Sequence, residues 1–168
     1  RGSLLHAVDR TLTAAGGRLL GERLAAPLFD VAAIESRLDL VSWFLAEKAC
    51  GEQVRSQPRV QPDIERALSR LSLGHGGPRD LANIANGLDS AGEITAQIKA
   101  VAANGISGLA LPDGLPGCLD MMLCPSGLSD ELTPALADEL PRLARDGGFS
   151  RQGHDLGLDD LRGLRDER

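Results

Sequence analysis

Aromatic side chains are scarce in this 168-residue chain, which has no tyrosine, three phenylalanines and one tryptophan. Aromatic packing therefore cannot dominate the interior, although 42% of the residues are hydrophobic and suffice for a core. Those residues are chiefly leucine and alanine, which is typical of helix-on-helix contacts. The length fits one domain. We therefore expect an all-α fold, a multi-helix bundle.

The sequence also has fewer basic than acidic residues. The chain has 18 Lys and Arg against 24 Asp and Glu, a net charge of −6. Because neutralising phosphates requires a cationic surface, we expect little or no DNA binding by this chain alone. A modest basic cluster comprises Arg59, Arg66, Arg70 and Arg79. We interpret it as helix-surface salt bridging.

Metal-binding and redox patterns are missing from the sequence. The three cysteines form no CxxC pair and are interpreted as thiols in a reducing cytoplasm; they are Cys50, Cys118 and Cys124. The three histidines have no second histidine or cysteine at ligand spacing; they are His6, His75 and His154. We therefore predict no metal-binding residue.

Nucleotide-binding and nucleophile motifs are missing as well. No Gly-x-x-x-x-Gly-Lys-Ser/Thr string occurs, and the glycine-rich residues 74–77 lack the lysine of a P-loop. No Gly-x-Ser-x-Gly elbow occurs. No apolar run reaches the roughly 18 residues that a membrane span requires. We therefore predict no catalytic or cofactor-binding residue and no membrane partner.

Caps and apolar spacings predict seven helical segments. Ser3, Thr13 and Asp30 are each placed to cap a helix. The first segment is a short helical turn within residues 3–9, and the others are helices over residues 14–25, 31–48, 63–73, 78–103, 130–139 and 157–168. Residues 104–127 are predicted to be loop, with one turn around 118–123, because glycine and proline are frequent there.

The predicted helix over residues 31–48 carries an apolar stripe at 3–4 spacing, formed by Ile34, Leu38, Val41 and Leu45. We expect Gly51 or Pro58 to interrupt this helix. No stripe in the chain persists for three heptads, so a coiled coil is not predicted.

Residues 63–81 are the most informative stretch. Ile64, Leu68 and Leu71 fall on one face of a helix. The glycines among residues 74–77 can supply a left-handed C-cap, and Pro78 suits the first position of the next helix. The stretch therefore predicts a helical hairpin. Within the second helix Gly87 and Gly92 each cost about 1 kcal/mol relative to alanine, which predicts a bend.

Residues 142–156 are predicted to form a short β-hairpin or connector. Asp146-Gly147 and Gly147-Gly148 provide the positive φ angles that a tight turn requires. After this turn Leu158, Leu161 and Leu164 open a new amphipathic helix over residues 157–168.

Four blocks of the sequence, in order, resemble the core (lever) domain of the MutS family of DNA mismatch-repair ATPases. The opening block comprises residues 2–5, 8–13, 16–20 and 24–28. The second block is Arg37-Leu38-Asp39-Leu40-Val41. The third and most specific comprises residues 63–71 with 77–81, and the last comprises 145–148, 153–155 and 158–162.

The resemblance implies that residues 1–168 form part of one core/lever domain with no catalytic role. Residues 157–168 would begin the helix that leads to an inserted DNA-clamp domain. The implied function is a structural and allosteric lever, which couples ATP binding and hydrolysis to the clamping of mismatched DNA. The phosphates of the nucleotide would be held by a P-loop that this sequence lacks.

The implied partners are the clamp, connector and ATPase domains of a longer protein, together with its homodimer partner and mismatched DNA. ATP and Mg²⁺ would bind in that protein outside this segment, and the implied location is the bacterial cytoplasm, in association with DNA. An alternative is a free-standing helical protein-interaction module, whose leucine stripes dock a partner helix.

Overall fold

The computed structural model describes residues 2–57, 62–104, 109–123 and 127–166. These ranges form nine α-helices and one short 3₁₀ turn, with no strand, so the predicted all-α class is confirmed for them. The helices are α1 Leu4–Val8, α2 Ala14–Ala25, α3 Val31–Ala46, α4 Lys48–Ser56, α5 Ile64–Ser72, α6 Pro78–Asn104, α7 Leu115–Met122, α8 Leu128–Ala135 and α9 Leu156–Asp166.

The predicted N-caps begin the first three helices. The Thr13 hydroxyl accepts a hydrogen bond from the Gly16 N–H at 3.0 Å, and the Asp30 carboxylate accepts one from the Ala33 N–H at 2.8 Å. Ser3 caps α1 in the same way. Each side chain satisfies a backbone donor that has no partner within its helix. Local sequence therefore sets where these helices start.

The predicted helix over 31–48 is divided at Glu47, whose φ of −91° and ψ of 55° separate α3 from α4. The predicted interruption at Gly51 is wrong, since this residue lies inside α4. A Cβ at Gly51 would lie 3.4 Å from the carbonyl oxygen of Phe44, about van der Waals contact, so α4 lies close to the end of α3 at this position. Pro58 lies outside the described residues.

The chain divides into two compact units, Arg1–Asp63 with Gly87–Cys124 and Ile64–Asn86 with Pro125–Arg168. Helix α6 supplies residues to both units, because the boundary falls between Asn86 and Gly87. The expected domain organisation, a lever segment with a connector at 142–156, stays a prediction.

The core of the first unit gathers α3, α4, α6 and α7. Its buried members are Trp43, Cys50, Ile94, Ile98, Leu115 and Leu119. The Trp43 and Phe44 rings meet edge to face with centroids 5.0 Å apart. Burying each large apolar side chain stabilises the fold by about 2 kcal/mol. The only tryptophan of the chain therefore lies in its main apolar cluster.

The apolar stripe of α3 does not face this core. Ile34, Leu38, Val41 and Leu45 are 37–73% exposed. Trp43 and Leu40 contact the cluster instead. Because α3 is apolar around much of its circumference, the 3–4 spacing identifies a stripe but cannot determine which face is buried.

The long helix predicted over 78–103 is present as α6, which has 27 residues. At 1.5 Å per residue it is about 40 Å long. Gly87 and Gly92 both lie within it. Its buried side chains recur at helical spacing, with Ile84 in the second unit and Ile94 and Ile98 in the first. One continuous helix therefore contributes to two separate cores.

Within the stretch predicted as loop, α7 is longer than the single turn expected at 118–123. It begins at Leu115, after Gly114 with a φ of 88°, and has Pro116 in its first turn. A left-handed glycine followed by proline starts a helix, so the same residues that indicate a loop also define this boundary. Residues 105–108 and 124–126 lie outside the described parts.

The helix predicted over 130–139 begins at Leu128 and ends at Ala135 as α8. Its early end follows from Leu136, which leaves the helix to form an isolated antiparallel bridge with Ser150. The backbone N–H of Ala137 donates to the Phe149 carbonyl at 2.9 Å beside this bridge. Tertiary pairing therefore replaces the last predicted helical turn.

The predicted β-hairpin at 142–156 is wrong. A 3₁₀ turn forms at Ala144–Asp146, and Gly147 and Gly148 follow with φ of 71° and 72°. The glycines thus adopt the positive φ angles that the sequence indicates, but no strands flank them. Residues 135–168 contain no valine, isoleucine or threonine, and without these β-formers the pairing stops at the single bridge.

Substituting Gly92→Ala should stabilise the chain. An added Cβ at this position meets no atom within 4 Å. Alanine is favoured over glycine in a helix interior by about 1 kcal/mol, so the free energy of unfolding in urea should rise by about 0.5–1 kcal/mol. A lower free energy of unfolding would contradict a continuous α6 through residue 92.

Candidate functional site

The elbow, which we define as residues 70–80, joins α5 to α6. The His75 N–H donates to the Arg70 carbonyl at 2.8 Å, and the Gly74 N–H donates to the Leu71 carbonyl at 3.0 Å. Gly74 has a φ of 72°. These two bonds and the left-handed glycine form a Schellman motif, which satisfies the last carbonyls of α5. The predicted left-handed C-cap is therefore confirmed.

Gly76 brings the chain back against the last turn of α5. A Cβ built on Gly76 would lie 2.5 Å from Leu71 Cδ2 and 2.8 Å from Leu71 Cα. A side chain could rotate away, but the Cα belongs to the backbone of α5. The close approach therefore requires glycine at this position.

The start of α6 is capped from within the elbow. Pro78 is its first residue, as predicted, and is buried. The Gly77 N–H donates to Asp80 Oδ2 at 3.0 Å. A carboxylate in the first turn of a helix also interacts favourably with the helix dipole. The sequence Gly77-Pro78-Arg79-Asp80 therefore encodes both the turn and the helix start.

The Asp80 carboxylate also binds α5. Arg70 Nε donates to Asp80 Oδ1 at 3.0 Å, and Arg70 Nη2 donates to the same oxygen. Asp80 is only 9% exposed. The hydrogen bond from Arg70 lowers the pKa of Asp80, burial opposes this, and the Gly77 N–H lowers it further. One carboxylate therefore pins the end of α5 to the start of α6.

Members of the predicted basic cluster are engaged with the chain itself. Arg70 is bound to Asp80, and Arg79 Nε donates to the Leu140 carbonyl at 3.0 Å. Arg66 is exposed on α5, and Arg59 lies outside the described residues. The Arg70–Asp80 pair agrees with the salt-bridge interpretation.

A second ion pair was not foreseen from the sequence. Arg18 on α2 forms two parallel hydrogen bonds to Asp63, Nη1 to Oδ2 at 2.8 Å and Nη2 to Oδ1 at 2.9 Å. This bidentate geometry is the strongest arrangement for an arginine and a carboxylate. It ties α2 to the residue that precedes α5. Because the partners are 45 positions apart, no local pattern could indicate it.

The described residues were expected from the sequence to lack a metal site, and their acidic, histidine and cysteine side chains are distributed accordingly along the chain. No group of three or more His, Cys, Asp or Glu there could hold a metal ion. Burial, followed by the charge of Glu47, raises the pKa of the Cys50 thiol, which keeps it protonated and unreactive. Cys118 is exposed. The contacts of the elbow hold two helices together.

Among the described helices, none is long and apolar enough to cross a membrane.

Substituting Asp80→Asn should lower the free energy of unfolding at neutral pH by about 2 kcal/mol, the usual contribution of a hydrogen bond to a charged group. Because folding lowers the pKa of Asp80, its stabilisation is present above the unfolded pKa of about 3.9 and is lost as the pH falls through the folded pKa. Urea unfolding from pH 7 to acid should show the difference between wild type and variant shrinking below about pH 4. A constant difference would contradict the role of the charge.

Substituting Gly76→Ala should destabilise the chain by about 2 kcal/mol or more, because the new Cβ overlaps the backbone of α5. Gly74→Ala is the matched control, since a Cβ there meets nothing within 4 Å and only the positive φ is strained. That strain costs about 1–2 kcal/mol. Urea unfolding of both variants should rank Gly76→Ala as the less stable, and the reverse order would refute the close approach.

Nearly the whole sequence matches known proteins. The family model described as MutS domain III matches residues 1–167. DNA mismatch repair protein MutS of Rhodopseudomonas palustris strain BisB5 is 51% identical over 167 residues, and its namesake in Azorhizobium caulinodans is 49% identical over 168. The namesake in Nitrobacter winogradskyi is 48% identical over 169 residues.

Each alignment covers 99% of this chain but only 17–18% of the relative. The chain thus spans less than a fifth of the length of these proteins. Since the family model covers nearly every residue, the chain belongs to the MutS domain III family.

Proposed function

We propose that this chain is a non-catalytic structural and allosteric lever of a DNA mismatch-repair ATPase. It would couple ATP binding and hydrolysis to the clamping of mismatched DNA. Membership of the MutS domain III family and relatives named as DNA mismatch repair proteins support this proposal. The partners would be the clamp, connector and ATPase domains, a homodimer partner and mismatched DNA, in the bacterial cytoplasm.

The observation that carries the proposal is the continuity of α6. This 27-residue helix is about 40 Å long and supplies residues to both compact units. A helix transmits a displacement along its axis because its backbone hydrogen bonds resist extension. An element of this length can therefore connect events at two separate places.

Helix α6 is anchored along both of its parts. In the second unit the Asp80 carboxylate binds it to α5 and Ile84 is buried. In the first unit Ile94 and Ile98 are buried, and Lys99 Nζ lies 3.0 Å from Asp120 Oδ1 on α7. Because each end is held by its own core, movement of one core is passed to the helix and then to the other.

The charge distribution supports a role away from the nucleic acid. The chain has a net charge of −6, and Arg70 and Arg79 are bound to atoms of the second unit. DNA contacts and the ATP–Mg²⁺ site would therefore lie in other domains of the longer protein.

A free-standing interaction module is the alternative function. The exposed apolar stripe on α3 favours it, because such stripes dock partner helices. The two functions differ in what they require of α6. A docking module needs only the α3 surface, whereas a lever needs an unbroken helix between the two units.

Breaking α6 should uncouple ATP from DNA in the longer protein that contains this chain. Gly92→Pro removes a backbone donor in mid-helix at a cost of about 3 kcal/mol, while Gly92→Ala at the same site keeps the helix and serves as control. The ATP-induced acceleration of release from mismatched DNA should fall about tenfold in Gly92→Pro and be unchanged in Gly92→Ala. Stopped-flow release with and without ATP measures this.

The lever proposal fails if Gly92→Pro is folded by circular dichroism, binds ATP and DNA, and still releases DNA as fast with ATP as the wild type. If Gly92→Pro does not fold, Leu88→Asp provides a second disruption of α6, directed at a partly buried side chain. Normal ATP-driven release by a folded Leu88→Asp variant would count equally against the lever.

A further inference from the structure

The Arg18–Asp63 pair holds the residue that directly precedes α5. Two nitrogens of the guanidinium each bind one oxygen of the carboxylate, at 2.8 and 2.9 Å. The side chains of Arg18 and Asp63 are 30% and 22% exposed, so water and salt screen the pair only in part. A planar guanidinium bound at two points fixes the orientation of its partner as well as its distance. Asp63 is therefore held in a defined position relative to α2.

Helix α5 depends on its two ends for its placement. Of its nine residues only Ala67 is buried, and Leu68 is 55% exposed. A short helix with so little buried apolar surface gains little from packing. Its last turn is held by the Arg70–Asp80 contact, and its start follows Asp63 directly. The two ion pairs therefore determine where α5 lies.

The two ion pairs lie in series along one path through the chain. Helix α6 is one covalent path between the two compact units, and another passes from Asp63 to Ile64. The second path is anchored in the first unit by Arg18 and in the second unit by Asp80. A segment anchored at both ends has little freedom to move. We call this segment, residues 63–80 with its two anchors, the brace of α6, because it ends at the first turn of that helix.

We propose that Arg18 is a positioning residue for the lever, acting through Asp63 and the brace on the start of α6. This rests on the proposed function. When α6 is displaced, a brace that is anchored at both ends keeps the start of the helix from yielding, so the displacement reaches the other core. Without the Arg18 anchor the start of α6 gives way and part of the displacement is lost. The pair thus acts on coupling and not on either binding step.

The test uses the longer protein that contains this chain. Arg18→Gln and Asp63→Asn each remove one charge of the pair, and circular dichroism checks that each variant is folded. The ATP-induced acceleration of release from mismatched DNA, measured by stopped flow, should fall at least about fivefold in both variants. The affinities for ATP, and for mismatched DNA without ATP, should stay as in the wild type. If the pair only stabilises the fold, the melting temperature falls and the acceleration is unchanged, which overturns the proposal.

A matched control and a double variant test whether the two residues act as a pair. Arg23→Gln removes the same charge from an exposed position on the same helix and should leave the acceleration unchanged. The double variant Arg18→Gln with Asp63→Asn should lose no more than either single variant, because removing the second partner of a broken pair removes nothing further. Additive losses overturn the proposal, as does an equal loss in Arg23→Gln, which would assign the effect to net charge.

The Gly92→Pro experiment separates the failure of this inference from the failure of the lever. If Gly92→Pro uncouples ATP from DNA release and the folded Arg18→Gln and Asp63→Asn variants do not, the positioning role is refuted and the lever stands. If none of the three variants uncouples them, both are refuted. If Arg18→Gln does not fold, Asp63→Asn decides alone, because asparagine keeps the size and shape of the aspartate side chain.

Discussion

The Asp80 carboxylate is the contact on which the arrangement of α5 and α6 depends. It accepts hydrogen bonds from Arg70 on α5 and from the Gly77 N–H at the start of α6, and it is nearly buried. A buried charge is tolerated only when its hydrogen-bonding capacity is satisfied. The geometry of the elbow supplies these donors, because the Schellman turn at Gly74 and the close approach at Gly76 bring the two helix ends together.

Elements determined by neighbouring residues could be predicted from the sequence, and those determined by distant contacts could not. Thr13, Asp30, Gly74 and Pro78 act within a few positions of themselves, so their helix boundaries follow from local chemistry. The Arg18–Asp63 pair and the Leu136–Ser150 bridge join residues that no short pattern connects. The apolar stripe of α3 could be recognised in the sequence. Its exposure could not, because it depends on Trp43 occupying the core from another face of the helix.

The candidate site divides in the same way. The glycine turn and the start of α6 at Pro78 follow from the local sequence. The contact between Arg70 and Asp80 forms only when that turn is folded. The proposed function comes from family resemblance, because a helical hairpin has no chemistry of its own. The structure adds the mechanical detail, a single helix with residues in two cores, and this is what makes a transmitting role physically reasonable.

The position of Trp43 has a spectroscopic consequence. Trp43 is the only tryptophan in a chain that has no tyrosine. The Trp43 indole is buried in the first unit. Fluorescence excited at the indole band therefore reports on the first unit alone, while far-ultraviolet circular dichroism reports on the helices of both. Coincident transitions by the two probes would mean that α6 joins its two cores into one cooperative unit. Separated transitions would reveal that each core melts independently along the same helix.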